Sequence, residues 1–223
     1  MKKTKKNSKK YDSKKYDSMI RFLSYFYQID IIRDINPDTI LEIGIGNKTT
    51  ANYLKNNGFN VTTCDIDEDL CPDYTADIRK LPFKDKTYDL IAAFEIIEHI
   101  PWDDVHKALS EIHRVSKKYA IISIPYSSAD FEIIITFPFI KRILNRRFLD
   151  IFFRIPFLKR KGKLWSSNHH WEMGRKGYPP KKIRRNLEQY FKIVEEIRPV
   201  LVSGHHFFVL EKKRLKNFNQ QKR

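Results

Sequence analysis

Little cysteine, little glycine and no long apolar run mark this 223-residue chain. Each shortage narrows what it can be. Cys64 and Cys71 have six residues between them, a spacing that no zinc motif uses, and no histidine or further cysteine joins them at a ligand interval. They are expected to be free thiols of a reducing compartment, which points to the cytoplasm. No stretch approaches the ~18 apolar residues of a spanning helix; the longest, Ile133–Ile140, is broken by Pro138. The lysine-rich start is not followed by an apolar segment, so no secretory leader is expected. With seven glycines in the whole chain, a glycine in a loop carries information.

Acidic residues are scarce as well: 27 Asp and Glu stand against 43 Lys and Arg, a formal net charge of +16. Such an excess suits anionic partners, whether nucleic acid, acidic lipid or phosphorylated substrates, although a Lys- and Ile-rich composition alone also produces it. Met1–Ser18 holds eight Lys against two Asp and too little aliphatic surface to order itself; it reads as a disordered basic tail. Residues 212–223 read as a polar C-terminal tail. The stretch between, 19–211, is one domain by length and apolar content.

Within that domain, strands and helices alternate. Met19–Asn36 is predicted helical, with Ile20, Leu23, Tyr27 and Ile31 as its buried stripe, widened by Phe22, Phe26 and Ile29. Asp17 or Ser18 caps it, and Asn36-Pro37 ends it. Strands are predicted at Thr39–Ile43, Phe59–Cys64, Tyr74–Ala76, Tyr88–Phe94 and Tyr119–Ile124, with helices over Thr49–Asn57 and Trp102–Ser116. This order implies a parallel sheet covered on both faces. A further helix, Lys181–Tyr190, precedes two strands, Phe191–Arg198 and His205–Glu211. Residues 126–170 interrupt the pattern. They read as a lid-like insertion whose basic, aromatic part, 141–163, suits helices that bury aromatics over a site or touch an anionic membrane, with RNA contact ranking below.

The first chemical signal is Leu41-Glu42-Ile43-Gly44-Ile45-Gly46-Asn47-Lys48. A strand ends in a glycine turn, and a helix begins. Gly44 and Gly46 permit the turn and close backbone approach, the helix start offers free N–H groups, and Glu42 places an anion where a cationic group can be held. Asp65, nineteen residues after Gly46, ends the second strand, where an acid accepts hydrogen bonds from ribose hydroxyls. A dinucleotide fingerprint would need a third glycine where Thr49 stands.

Together Leu41–Thr49, Cys64–Asp67, Ala76–Phe83 and Tyr88–Ile100 resemble the class I S-adenosylmethionine-dependent methyltransferases. The resemblance implies an α/β, Rossmann-like fold with a seven-stranded, mostly parallel sheet and a C-terminal antiparallel hairpin. It implies S-adenosyl-L-methionine as cofactor, with Glu42, Gly44, Ile45 and Gly46 at the methionine part, Asp65 and Ile66 at the ribose, Asp77 and Ile78 at the adenine, and Glu95 in the segment that closes the pocket. The family often has a glycine where Lys48 stands; a lysine there must turn its side chain outward.

On the acceptor side, a hydroxyl needs a base, and His99 follows the fourth strand. Asn168-His169-His170-Trp171-Glu172 resembles a stretch of methyltransferases from bacterial surface-polysaccharide gene clusters. It implies His169 or His170 as base, oriented by Glu172, with Trp171 stacking on a sugar, or else a structural clip. A His-His-x-Glu metal site lacks an assignable third ligand, so no metal is expected. His205-His206 reads as packing or surface. The acceptor is expected to be a small molecule or lipid-linked glycan precursor methylated on oxygen, by an enzyme that is cytoplasmic or peripheral to the inner face of the membrane. The alternatives are an RNA methyltransferase and a non-catalytic binding protein of the same fold.

Overall fold

Ile40, Leu41, Glu42 and Ile43 are buried on both faces of their strand, as a central parallel strand requires. In a computed structural model, which describes residues 16–145, 148–156, 164 and 166–214, this strand β1 (Thr39–Ile43) pairs in parallel with β2 (Asn60–Asp65) and β4 (Tyr88–Phe94). The two-residue β3 (Tyr74–Thr75) extends β2, and β5 (Ser116–Pro125) pairs with β4. The antiparallel β9 (His205–Lys212) and β8 (Phe191–Ile197) complete the seven-stranded order β3-β2-β1-β4-β5-β9-β8. The mostly parallel sheet with its C-terminal antiparallel hairpin is the architecture read from the sequence.

Alternate residues of each strand feed separate cores. Ile40, Leu90, Ala92, Ile121 and Phe207 pack under α1 (Met19–Ile35) and α2 (Thr49–Asn56). Leu41, Ile91, Ala93, Ile122 and Phe208 pack under α3 (Val105–Val115) and α5 (Pro180–Leu187). The result is a three-layer sandwich.

Two expectations are corrected. The buried side of α1 follows the predicted stripe only in part: Ile31 is buried and Tyr27 and Ile29 pack partly buried against the core, but Ser24, Tyr25, Gln28 and Ile32 also face inward, while Ile20, Phe22 and Phe26 are exposed. The inward polar groups find partners that local periodicity does not reveal. Thr50 Oγ1 donates to Gln28 Oε1 (2.7 Å), Gln28 Nε2 to Ser24 Oγ (3.3 Å), and Ser24 Oγ meets His205 Nδ1 at 3.0 Å.

The insertion is mainly strand rather than helix. β6 (Ser128–Ile135) and β7 (Leu149–Pro156) form an antiparallel hairpin, with the short helix α4 (Ile140–Leu144) between them. Ile and Phe at alternate positions satisfy a period of two better than a helical one. The hairpin rests on the connection before β9 through Glu132, which pairs with Arg198 and accepts from Leu201 N, and through Arg154, which donates to Ser203 O. Its outward aromatics Phe131 and Phe153 are 64% and 63% exposed, so these two rings do not close over the rest of the fold. Residues 1–15, 157–163 and 215–223, with most of both tails and part of the basic aromatic stretch, lie outside the described residues. The described chain begins earlier than the tail boundary at 18, since Tyr16 and Asp17 are half-buried.

After the hairpin, Trp171 and Met173 re-enter the core. Trp171 is 1% exposed, donates Nε1–H to Ile100 O at 3.1 Å and meets Trp102 edge-on at 4.9 Å. It is therefore a clip, not a sugar-stacking platform. Trp171→Ala is expected to lower stability by about 3–5 kcal/mol, read as a fall in the urea midpoint; an unchanged midpoint would show that the clip carries no packing energy.

Candidate functional site

The glycine turn after β1 is held by the end of β2. Gly44 N donates to Cys64 O (2.8 Å) and Ile45 N to Asp65 Oδ2 (2.9 Å), while Asp67 N donates to Asp65 Oδ1 (2.9 Å). The turn needs its glycines: Gly44 and Gly46 have φ of +80° and +50°. A Cβ on Gly44 would fall 1.9 Å from Ile96 Cδ1, so this glycine makes room for the protein's own side chain. At Gly46 the nearest atom to such a Cβ is Tyr16 OH, at 3.1 Å. Lys48 adopts φ +65° at the start of α2 and sends Nζ to Cys71 O (2.9 Å), away from the turn as expected. The left-handed backbone explains why glycine suits this position.

Asn47 knits the turn to the N-terminal segment. Its Oδ1 accepts from Thr49 N (3.1 Å) and from Tyr25 OH (3.0 Å), and its Nδ2 donates to Asp17 (2.9 Å). The cavity over the turn is consequently walled by Tyr16, Arg21, Ser24 and Gln28 on one side and by Glu42, Glu95 and His205 on others. Sequence reasoning missed the α1 wall and His205. The polar residues that break the apolar stripe of α1 were the available signal.

Glu42 faces this cavity from within the sheet, buried, with Oε2 lacking a hydrogen-bond partner among the described residues. Burial pushes its carboxyl up to about 8, with Lys55 opposing and Asp65 adding to the rise. Glu95, at φ +55°, donates its N–H to Ser123 O and accepts at Oε1 from Ser123 Oγ (2.9 Å). Asp77 is gripped by Arg79 at 3.0 Å from Nε, and these hydrogen bonds hold its carboxyl below the usual range. Ile78 lies in the core, whereas Ile66 is exposed at the end of β2.

A second group gathers beyond β4. Glu98, at the 3-10 turn Ile97–His99, is fully buried, and burial, with Glu95 and Glu172 nearby, holds its carboxyl well above the usual range. His99 and His169 stack edge-on at 4.9 Å. His169 Nδ1 lies 2.9 Å from Glu172 Oε1, and Glu172 also accepts from Ser127 Oγ. The structure sets His169 against Glu172, the pair read from the sequence as base and orienter, and adds two neighbours that the sequence did not join to them, His99 and Glu98. His170 stands apart: it is exposed, and its backbone N–H donates to Glu98 O (2.8 Å).

The Glu42 geometry has a pH consequence. Because its folded pKa lies above the unfolded value of 4.5, the folded state holds the proton more tightly. Stability is full below that value and is lost as pH rises toward about 8, by at most about 1.4 kcal/mol per pH unit. Thermal melts of the ligand-free chain across this window should show the decline, and Glu42→Gln should flatten it; parallel profiles would refute the assignment.

Residues 41–124 match the family model described as a methyltransferase domain. No curated protein matches the chain in sequence. Among solved structures it is similar to the N-methyltransferase NodS from Bradyrhizobium japonicum in complex with S-adenosyl-L-homocysteine, at TM-score 0.60 and 8% identity, covering 93% of this chain and 100% of that one. It is also similar to magnesium protoporphyrin IX methyltransferase from Synechocystis, at 0.58 and 13%, covering 87% and 85%. A Clostridium acetobutylicum S-adenosylmethionine-dependent methyltransferase gives 0.57 and 13%, covering 88% and 96%. With the glycine turn, Glu42 and Asp65 set at one sheet edge, residues 41–124 match a methyltransferase domain, and the chain has the class I fold of the S-adenosylmethionine-dependent methyltransferases to which it is similar.

Proposed function

We propose that this enzyme methylates a hydroxyl of a small or lipid-linked acceptor, with the cofactor over the glycine turn and the acceptor toward Glu98, His99 and His169. The observation that carries the cofactor half is the buried Glu42 carboxyl, whose Oε2 has no hydrogen-bond partner among the described residues. It fits a ligand bearing a cationic ammonium, which would supply the partner the protein lacks. Arg21, on the facing wall, offers a cation to that ligand's carboxylate. Asp65 keeps lone pairs for ribose hydroxyls beyond its two backbone bonds, and Ile66 offers an exposed apolar surface beside them. Asp77, clamped by Arg79, would meet the adenine as a fixed acceptor.

The cofactor supplies an already activated methyl group. The chain's task is therefore to hold the acceptor in line and dispose of its proton. A hydroxyl is favoured over an amine because a buried carboxylate–histidine cluster adjoins the cleft, and a neutral amine needs no such help. The fold itself leaves the acceptor open: the neighbours named above include an N-methyltransferase and an enzyme of a porphyrin.

Calorimetric titration with S-adenosylmethionine near pH 7, in buffers of different ionisation enthalpy, tests the cofactor half. Glu42 should release a proton as the ligand's ammonium arrives. Glu42→Gln should bind more weakly without proton release, and Asp65→Ala more weakly with release intact. Wild-type binding without proton release would overturn the role of Glu42.

The hairpin favours a second element of this reading, an acceptor held at an anionic membrane surface. Phe131, Ile133, Ile135, Ile151, Phe153 and Ile155 point outward, between 41% and 64% exposed. Phe152 lies on the other face, beneath the Arg198 guanidinium at 3.9 Å. Six large apolar side chains on one face of a hairpin are the kind of patch that marks an interaction surface. Lys141 and Arg142 are exposed beside it in sequence, on a chain of net charge +16. No described helix is long and apolar enough to cross a membrane, so contact would be peripheral. In liposome flotation the wild type should rise with anionic vesicles and much less with neutral ones. The Phe131→Ser/Phe153→Ser variant should stay at the bottom. Equal flotation of both would sink the idea, and dimers of the wild type that the variant cannot form would assign the face to a second copy.

A further inference from the structure

We propose that Glu98, His99 and His169, just after β4, form a site for one divalent transition-metal cation. The site stands on its own geometry; only its use in activating an acceptor hydroxyl rests on the reading above.

Glu98 is fully buried, and neither carboxylate oxygen has a hydrogen-bond partner among the described residues. A buried carboxyl in that position is costly in either form. The anion lacks a donor, and the neutral acid carries a hydrogen that itself needs an acceptor. What faces Glu98 Oε1 is a pair of imidazole nitrogens, His99 Nε2 and His169 Nε2, each at 3.9 Å.

Both rings are oriented by their other nitrogen. His169 Nδ1 lies 2.9 Å from Glu172 Oε1, and His99 Nδ1 lies 3.1 Å from Asn168 O. A carboxylate and a carbonyl there place the hydrogen on Nδ1 and direct the Nε2 lone pair toward Glu98, the support that metal-ligating histidines usually have. Glu172 is fixed in turn by Ser127 and by Arg175. The ligand atoms lie within 4.8 Å of one another. Small side-chain rotations bring them to a common centre at the ~2.0–2.2 Å that nitrogen and oxygen ligands require. Two imidazoles and one carboxylate suit Zn²⁺, Fe²⁺ or Mn²⁺ and leave positions open for an exogenous oxygen. The His99 side chain is 39% exposed, which gives the ion an entry path.

Glu95, three residues before Glu98, lines the cavity over the glycine turn, so the two sites are joined by one short segment after β4. A divalent cation lowers the pKa of an oxygen bound to it. An acceptor hydroxyl would then pass its proton to solvent without a side-chain base, and His99 and His169 would serve as ligands. Of the His-His-x-Glu segment only His169 is a ligand; the other two, Glu98 and His99, follow β4, with His99 seventy residues before His169.

The test is titration of the chelator-treated chain with Mn²⁺, followed by its electron paramagnetic resonance signal, and with Zn²⁺ by calorimetry, both without cofactor or acceptor. One ion per chain is expected. His99→Ala, at a partly exposed position, should weaken binding at least about tenfold while leaving metal-free thermal stability and S-adenosylmethionine affinity unchanged. Glu98→Gln should weaken it as well. A folded wild type that binds no stoichiometric ion, or wild-type affinity in folded His99→Ala, would overturn the site. The readout uses neither cofactor nor acceptor, so a failed metal titration leaves methyl transfer standing, and absence of methyl transfer leaves the metal site standing.

Discussion

β1 is hydrogen-bonded in parallel to β2 and β4, with Ile43 level with Cys64 on one side and Ala93 on the other. Parallel strands in register end on the same edge, and ligands of open α/β sheets collect there. Every polar group of the site depends on that alignment. The hydrogen bonds from Gly44 N to Cys64 O and from Ile45 N to Asp65 draw the glycine turn onto the end of β2. Glu95 and Glu98 follow β4 a few residues on. A slip of one residue in either pairing would move each of these side chains to the other face of the sheet.

The same edge concentrates negative charge in a strongly basic chain. Glu42 and Glu98 are fully buried, and Asp65, Glu95 and Glu172 lie among them. Of the cations nearby, Arg175 pairs with Glu172 and Arg21 lines the cavity, whereas Arg79 is spent on Asp77 and Asp104, and Arg114 on Glu111 and Asp85; among the described residues none hydrogen-bonds Glu42 Oε2 or the Glu98 carboxyl. Folding therefore leaves carboxylates that only a cation from outside can fully satisfy. Ligand-free stability and ligand binding pull against each other here, as they commonly do at functional sites.

Where local pattern and tertiary demand disagreed, tertiary demand won for identifiable reasons. On α1 the more apolar stripe lost to Ser24, Tyr25 and Gln28, because Asn47, Thr50 and His205 offer those groups hydrogen bonds at the cavity. In the insertion, charge and aromatics suggested an amphipathic helix. The alternation of Ile133, Ile135, Ile151 and Phe153 with Glu132, Asp150 and Arg154 is instead the pattern of a hairpin with one apolar and one polar face.

The amino-acid sequence by itself determined the order of strands and helices outside the insertion, the glycine turn with Glu42 and Asp65, and hence the class of cofactor. These are signals carried within a few residues, where turn sterics and strand periodicity act. The acceptor-side arrangement was only partly legible. His99, His169 and Glu172 were readable as reactive types. Their convergence on Glu98, the burial of Trp171, the exposure of His170 and the α1 wall over the cleft were decided by tertiary structure alone. They join segments dozens of residues apart, and whether a histidine meets a carboxylate or water depends on packing that no local pattern encodes.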